Sequence, residues 1–292
     1  MRRNITFIIF VFCCLSSIAQ GTHGYSFPPT GTIESERISE LSGVVPAQGE
    51  GEFWGLNDGG DAPNLYRFND QGELLQTVMI EGAENRDWEA MAKDPQGNIY
   101  IADVGDNKKQ YESYRIYVVK EPDVNMEQIS EYQIVSFKYE DGFSHDCEAV
   151  FWMGGKLYLI TKGFLPGSSE IFVLDELEVN RVVTARKYGS LTIHVQDILA
   201  HIVTDAVYSS AWDRLAVLTY GGVLFYQVNV EEALLKAPAH FSAGVYGQSE
   251  ALCFDGDDLL VTNEAGYLWL HPVAFYYPSS FISSWEMYGV GN

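Results

Sequence analysis

An all-β fold built from a repeated four-strand unit is what this sequence predicts, on three observations. First, a polar-then-small phrase recurs along the chain as Ser42-Gly43, Glu89-Ala90, Glu148-Ala149, Asp205-Ala206 and Glu250-Ala251. Second, each phrase opens a short run of strand formers, followed by a turn and a second run that ends in a polar, glycine-containing cluster such as Asn57-Asp58-Gly59-Gly60 or Lys162-Gly163. Third, the phrases stand 47, 59, 57 and 45 residues apart, 52 on average. A period of that order with four short strands per step is the signature of a β-propeller blade. Five blades of four antiparallel strands fit the chain, and six fit only if each is shortened.

Taken in order, residues 1–19 carry Arg2-Arg3, an apolar run over 5–15 and Ser17-Ile18-Ala19, the layout of a secretory signal. The apolar run is short for a membrane span, and Val11-Phe12 before Cys13 is unlike a lipoprotein signal. The expected product is an exported protein, periplasmic or extracellular, with residues 20–292 forming one propeller domain and no membrane span. Residues 32–38 can supply the outer strand that closes the ring. The first unit then has strands over 40–45, 53–56, 65–68 and 74–80. The second begins at Asp87, turns at Asp94-Pro95-Gln96-Gly97-Asn98, and continues over 99–103, 114–119 and 132–139. The third covers 145–151, 156–161, 170–174 and 182–191. Residues 195–202 read as a helical turn or loop before the fourth unit, which has strands over 204–208 and 214–219. The fifth has strands over 249–254 and 258–262, with 275–278 and 285–288 expected to complete it.

The net charge is -22, and about -24 once Arg2 and Arg3 leave with the signal. So acidic a surface repels nucleic acid and anionic membranes and suits cations. Cys13 and Cys14 also leave. Cys147 and Cys253 sit at unlike offsets in separate units, so no disulfide is expected. Cys147 lies between two acids, which disfavours a thiolate nucleophile. The sequence contains no Gly-x-Ser-x-Gly, P-loop or His-Glu-x-x-His motif.

In a propeller the first strand of each blade lines the central tunnel. Alternation along the strand then aims Ser42, Glu89, Glu148, Asp205 and Glu250 inward. Carboxylates so placed repel unless protonated or joined by a cation. An all-oxygen set suits Ca²⁺, with Mg²⁺ second; the alternative is a hydrated polar plug that holds the blades in register. The hairpin starting at Asp87 brings Asp87, Glu89, Asp103 and Asp106 to one sheet edge. A wider mouth layer comprises Asn57, Asp58, Asp61, Asn107, His145, Asp146, Lys162, Asn263 and Glu264, although Asn, Asp and Gly are also ordinary turn residues. His145 could move a proton, and Arg86 and Lys162 could hold an anion.

The phrases Glu40-Leu41-Ser42-Gly43, Asn57-Asp58, Asp87-Trp88-Glu89, Gly105-Asp106-Asn107, Asp146-Cys147-Glu148-Ala149 and Leu159-Ile160-Thr161-Lys162 resemble those of exported bacterial propellers described as TolB-like or esterase-like-phytase-like. The resemblance covers 38–266 and weakens in the fourth unit, at Thr204-Asp205-Ala206. The same pattern is similar to calcium-activated nucleotidases (apyrases), five-bladed propellers with a tunnel calcium. That similarity implies an ion on Ser42, Glu89, Glu148, Asp205 and Glu250. Arg86 and Lys162 are fewer cations than those enzymes place around a nucleotide. Two functions follow as expectations. One is a non-enzymatic, monomeric module that binds a small ligand or protein partner. The other is a Ca²⁺-dependent phosphoric ester hydrolase using His145, Arg86 and Lys162.

Overall fold

The computed structural model describes residues 28–165, 167–228, 240–243 and 247–276. The proposed signal (1–19) and the expected strand at 285–288 lie outside them. Nearly all regular structure is β. After β1 (Gly31–Thr32), the chain forms a meander of β2 (Leu41–Pro46), β3 (Glu52–Asn57), β4 (Asn64–Asn69) and β5 (Leu74–Ile80). The next joins β6 (Trp88–Lys93), β7 (Asn98–Asp103) and β8 (Tyr114–Lys120) to β10 (Gln133–Tyr139), with the two-residue β9 (Gln128–Ile129) crossing back to pair in parallel with β5. A third comprises β11 (Cys147–Met153), β12 (Lys156–Thr161), β13 (Glu170–Leu174) and β14 (Val182–Ser190). A fourth comprises β15 (Val203–Ser209), β16 (Arg214–Thr219), β17 (Gly222–Gln227) and β18 (His240–Ala243). The last, β19 (Ser249–Asp255), β20 (Asp258–Asn263) and β21 (Tyr267–Pro272), takes β1 as its fourth strand. Parallel pairing of β10 with β14 makes one eight-stranded sheet of the second and third meanders.

The local chemistry is what the turns require. Asp94 opens the β6–β7 turn by accepting the Gln96 and Asn98 N–H groups on Oδ1, each at 2.9 Å. Gly97 supplies the left-handed residue, at φ 76°. The expected helical turn before the fourth meander is a 3-10 turn, Ile198–His201, started by the Asp197 side chain accepting from Leu199 N–H. Ring closure comes from the N-terminal segment as expected, but from Gly31 and Thr32 against Leu268 and Tyr267. Of the expected strand at 275–278, residues 277–278 lie outside the described residues, and Phe275 and Tyr276 are not the last meander's third strand. That strand is Tyr267–Pro272, directly after β20, and the chain then turns into a short helix, Val273–Tyr276.

Apolar clusters fill every gap between successive meanders, including that between the last and the first. The first strands pack in a closed cycle, β2 on β6, β6 on β11, β11 on β15, β15 on β19 and β19 on β2. The meanders therefore stand radially around a central channel. One end of the channel carries the polar phrases. The other opens into a cavity of about 910 Å³ bounded by all of these first strands, with Met91, Trp152, Tyr208 and Phe254 in its wall. No helix among the described residues is long and apolar enough to cross a membrane.

The cycle closes tightly at Gly43, where a Cβ would lie 3.0 Å from Met91 N and 3.1 Å from the Ala90 carbonyl carbon. Gly43→Val should therefore destabilise the fold by about 1–3 kcal/mol, because β6 backbone cannot step aside. Valine's better strand propensity works against that loss. Chemical denaturation monitored by tryptophan fluorescence measures it, and an unchanged midpoint would show that the cycle tolerates wider spacing.

Candidate functional site

Side chains of the first strands alternate between two inter-meander cores, not between core and channel. In β6, Trp88 and Met91 join the cluster shared with the first meander, while Ala90 and Ala92 join the one shared with the third. A β-bulge is what turns a side chain to the channel. Pairing skips one residue at the same place in every first strand: Ser42, Glu89, Glu148, Thr204 and Glu250. The sequence alignment on Asp205 is thus one residue off, and Thr204 occupies the bulge. Asp205 follows it, fully buried, with Oδ1 accepting from Ala206 N–H at 2.8 Å and Oδ2 from Leu252 N–H at 2.9 Å. It ties β15 to β19. Ser42 donates its hydroxyl to Trp88 O at 3.1 Å, tying β2 to β6. The Thr204 hydroxyl is buried and has no hydrogen-bond partner among the described residues.

Above the bulges sits a second tier, formed by the residue that follows each second strand: Asp58, Val104, Lys162, Tyr220 and Glu264. Each donates its N–H to a carbonyl just before the first strand of its own meander. Lys162 Nζ lies 2.9 Å from Glu148 Oε1, and Tyr220 donates its hydroxyl to Glu250 Oε1 at 2.9 Å. Glu264 is a further acid next to Glu250. Asp58, Asp87 and Glu89 bring one carboxylate oxygen each within 4.8 Å of one another. Backbone without side chains lets them meet: a Cβ on Gly105 would stand 2.5 Å from Glu89 Oε1, and one on Gly59 2.3 Å from Asp87 Oδ1. Asn85 fixes the surrounding loops, donating to Asp58 O at 2.8 Å and accepting from Trp88 N–H at 3.0 Å.

This concentration of acid is visible in its proton affinity. Burial, then the charges of Asp58, Asp146, Asp103 and Asp106, pushes the Asp87 carboxyl up to about 6. Burial raises Glu148 to about 7 against the pull of Lys162. Burial and the Glu148 charge raise Glu250 to about 8. Glu89, buried and facing Glu148, Asp58 and Asp87, is held well above the ordinary carboxylate range. Burial opposes charge on Lys162, yet Glu148, Glu89 and Glu250 together keep it firmly protonated.

Other residues singled out in the sequence lie apart from this cluster or serve the scaffold. Asp103 is fully buried. It accepts from Asp87 N–H at 2.8 Å and Arg115 Nε at 2.7 Å, and its Oδ2 lies 3.5 Å from Arg86 Nε. Arg86 also stacks on Tyr111, 3.8 Å from the ring centre, and donates to the Ser113 and Asp103 carbonyls. Asp106 caps its loop, accepting from Gln110 and Tyr111 N–H and from the Tyr114 hydroxyl, while its own N–H binds Asp146 Oδ1 at 2.8 Å. Asp61 accepts from Asn57 and from Ala62 N–H, Asn263 accepts from Tyr267 N–H, and Asn107 is exposed. His145 is placed between β10 and β13, its ring against Tyr139 and Phe172 and its Nε2 2.9 Å from Asp141. Cys147 and Cys253 are both free and buried, and burial pushes each thiol up. Sequence reading missed Thr204 and Tyr220. The signal for Tyr220 was its place directly after a second strand, equivalent to Asp58, Lys162 and Glu264.

No family model and no curated protein matches this chain. Among solved structures it is similar to the glutaminyl cyclase of Myxococcus xanthus, with TM-score 0.50 and 10% identity over 85% of this chain and 94% of that one. It is also similar to a gluconolactonase of Xanthomonas campestris (0.44, 13%, 76% and 68%) and to the PQQ-bound aldose sugar dehydrogenase of Streptomyces coelicolor (0.46, 11%, 85% and 98%). β-Propeller proteins are among the structures it resembles, and at such identities the likeness is one of fold.

Two outcomes are expected of the acid cluster. Asp87, Glu148 and Glu250 each bind a proton more tightly folded than unfolded, so their stabilising contribution is complete below about pH 4 and is lost as pH rises through about 6, 7 and 8. In chelator, the melting temperature should fall across that window, and Glu89→Gln should flatten the fall; a flat wild-type profile would show the carboxyls to be independent. Lys162→Met removes the cation and should cost about 3 kcal/mol at about pH 8, less at about pH 5 where the acids are protonated. Equal losses at both would mean that Lys162 contributes packing, not charge.

Proposed function

We propose that this protein is an exported five-bladed β-propeller that binds a hard divalent cation, Ca²⁺ before Mg²⁺, at Asp58, Asp87 and Glu89. The acidic channel mouth then serves as a non-enzymatic surface for a small ligand or a protein partner. Each four-strand meander is read as one blade. The observation that carries the proposal is the convergence of these carboxylates within 4.8 Å. The donors are all oxygens and carry more negative charge than Lys162, itself paired with Glu148, can offset. That chemistry fits Ca²⁺, which takes several carboxylate and carbonyl oxygens, and not Zn²⁺ or copper. A bound divalent ion would keep these carboxylates ionised and join the first and second blades. Export rests on the N-terminal signal pattern.

The other ligands that the sequence suggested support this reading in another way. Ser42 and Asp205 are committed to neighbouring backbone, and Glu148 and Glu250 to Lys162 and Tyr220. They brace the channel wall, which leaves Glu89 as the bulge acid grouped with Asp58 and Asp87. Phosphoric ester hydrolysis finds less support, because Arg86 is held by Asp103 and Tyr111, and His145 by Asp141.

Calorimetric titration of Ca²⁺ into chelator-treated protein tests the proposal. One binding event is expected, with a rise in melting temperature at pH 7 to 8 (about the window in which the acids charge) and loss of both in Asp87→Asn/Glu89→Gln. If neither heat nor a thermal shift appears, the acids form a protonated, hydrogen-bonded plug and the cation reading is wrong.

A further inference from the structure

We propose a second metal site at Asp141, His145 and Glu170, for a transition-metal ion of the Zn²⁺ class, between the second and third meanders. Each residue offers one ligand atom, and these atoms lie within 4.8 Å of one another. The donor set differs in kind from that of the channel mouth. One imidazole nitrogen with two carboxylate oxygens favours Zn²⁺ and its neighbours over Ca²⁺. The proposal uses none of the mouth acids and stands or falls separately from the reading above.

The three side chains are held in place before any ion arrives. The His145 ring rests against Tyr139 at 4.7 Å and Phe172 at 5.0 Å between centroids, and its Nε2 is 2.9 Å from Asp141 Oδ2. Asp141 is oriented through its other oxygen, which accepts Phe143 N–H at 3.0 Å. Glu170 opens β13 and is anchored by its own N–H, donated to Thr161 Oγ1 at 2.9 Å. Such supporting contacts are what fix metal ligands and set their affinity. The cation now beside the site is Lys187, paired with Glu170. Its side chain is 44% exposed, so it can swing into water when a divalent ion takes its place. Asp141 and His145 project from the loop that leads into β11, and Glu170 from the start of β13, so an ion would pin the loop to the third meander.

The test uses the whole exported chain carrying Asp87→Asn/Glu89→Gln, which silences the channel mouth. Titration with Co²⁺ should produce the visible absorption of a four- or five-coordinate ion, and Zn²⁺ should bind one to one by calorimetry. Glu170→Gln and His145→Phe, the second keeping an aromatic ring between Tyr139 and Phe172, should each weaken Zn²⁺ by about tenfold or more. Lys187→Met should tighten it by removing the competing ammonium. Absence of both absorption and heat overturns the proposal, as does Zn²⁺ binding that is unchanged in Glu170→Gln and His145→Phe.

Discussion

Everything in this fold depends on the first strands meeting in a closed cycle. A sheet edge presents unpaired N–H and C=O groups, and here every first strand turns that edge to a shared channel. Neighbouring strands are too close for large side chains at the crossing points, hence Gly43 against the β6 backbone. Side chains must then leave sideways into the inter-meander cores, as Trp88, Met91, Ala90 and Ala92 do. Polar groups reach the channel where a bulge interrupts the pleat. That one irregularity, repeated in each first strand, builds the polar end of the channel. The exposed edge is satisfied in places by side chains from the neighbouring strand, with Asp205 on Leu252 N–H and Ser42 on Trp88 O.

Crowding acids around a narrow channel creates an electrostatic problem that the chain solves only in part. Lys162 neutralises one charge, the Tyr220 hydroxyl stabilises another, and Asp205 is dispersed into backbone N–H groups. Asp58, Asp87 and Glu89 meet beside Gly59 and Gly105, where burial and then the charges of neighbouring carboxylates raise their proton affinity. On the proposed reading, this is the point at which a cation from solution would relieve the repulsion.

Many acids near the same mouth are structural, and type alone did not distinguish them. Asp103 and Asp106 belong to the same hairpin as Asp87 and Glu89, and the pattern of strand and turn placed all four at one edge. In the folded chain Asp103 turns to Arg86 and Arg115, and Asp106 to the N–H groups of its own loop. His145, beside Asp146 in sequence, belongs with Asp141 and the aromatic pair Tyr139 and Phe172. Adjacent residues part company because a strand entrance sends successive side chains to opposite sides.

Sequence by itself determined the repeat, its period, the all-β elements and the closure of the last sheet by the N-terminal segment. These follow from local chemistry: two-residue alternation, turn residues such as Asp94 and Gly97, and the recurrent polar-small phrase. It also singled out Glu89, Glu148, Glu250 and Lys162 as candidate channel residues. Tertiary structure decided which acids converge. The bulge register moved the fourth position from Asp205 to Thr204, and Asp58 came from one meander to join Asp87 and Glu89 of the next. Such choices depend on how strands pair and how sheets pack across the ring. Residues distant in sequence meet there, and no local pattern encodes which of them do.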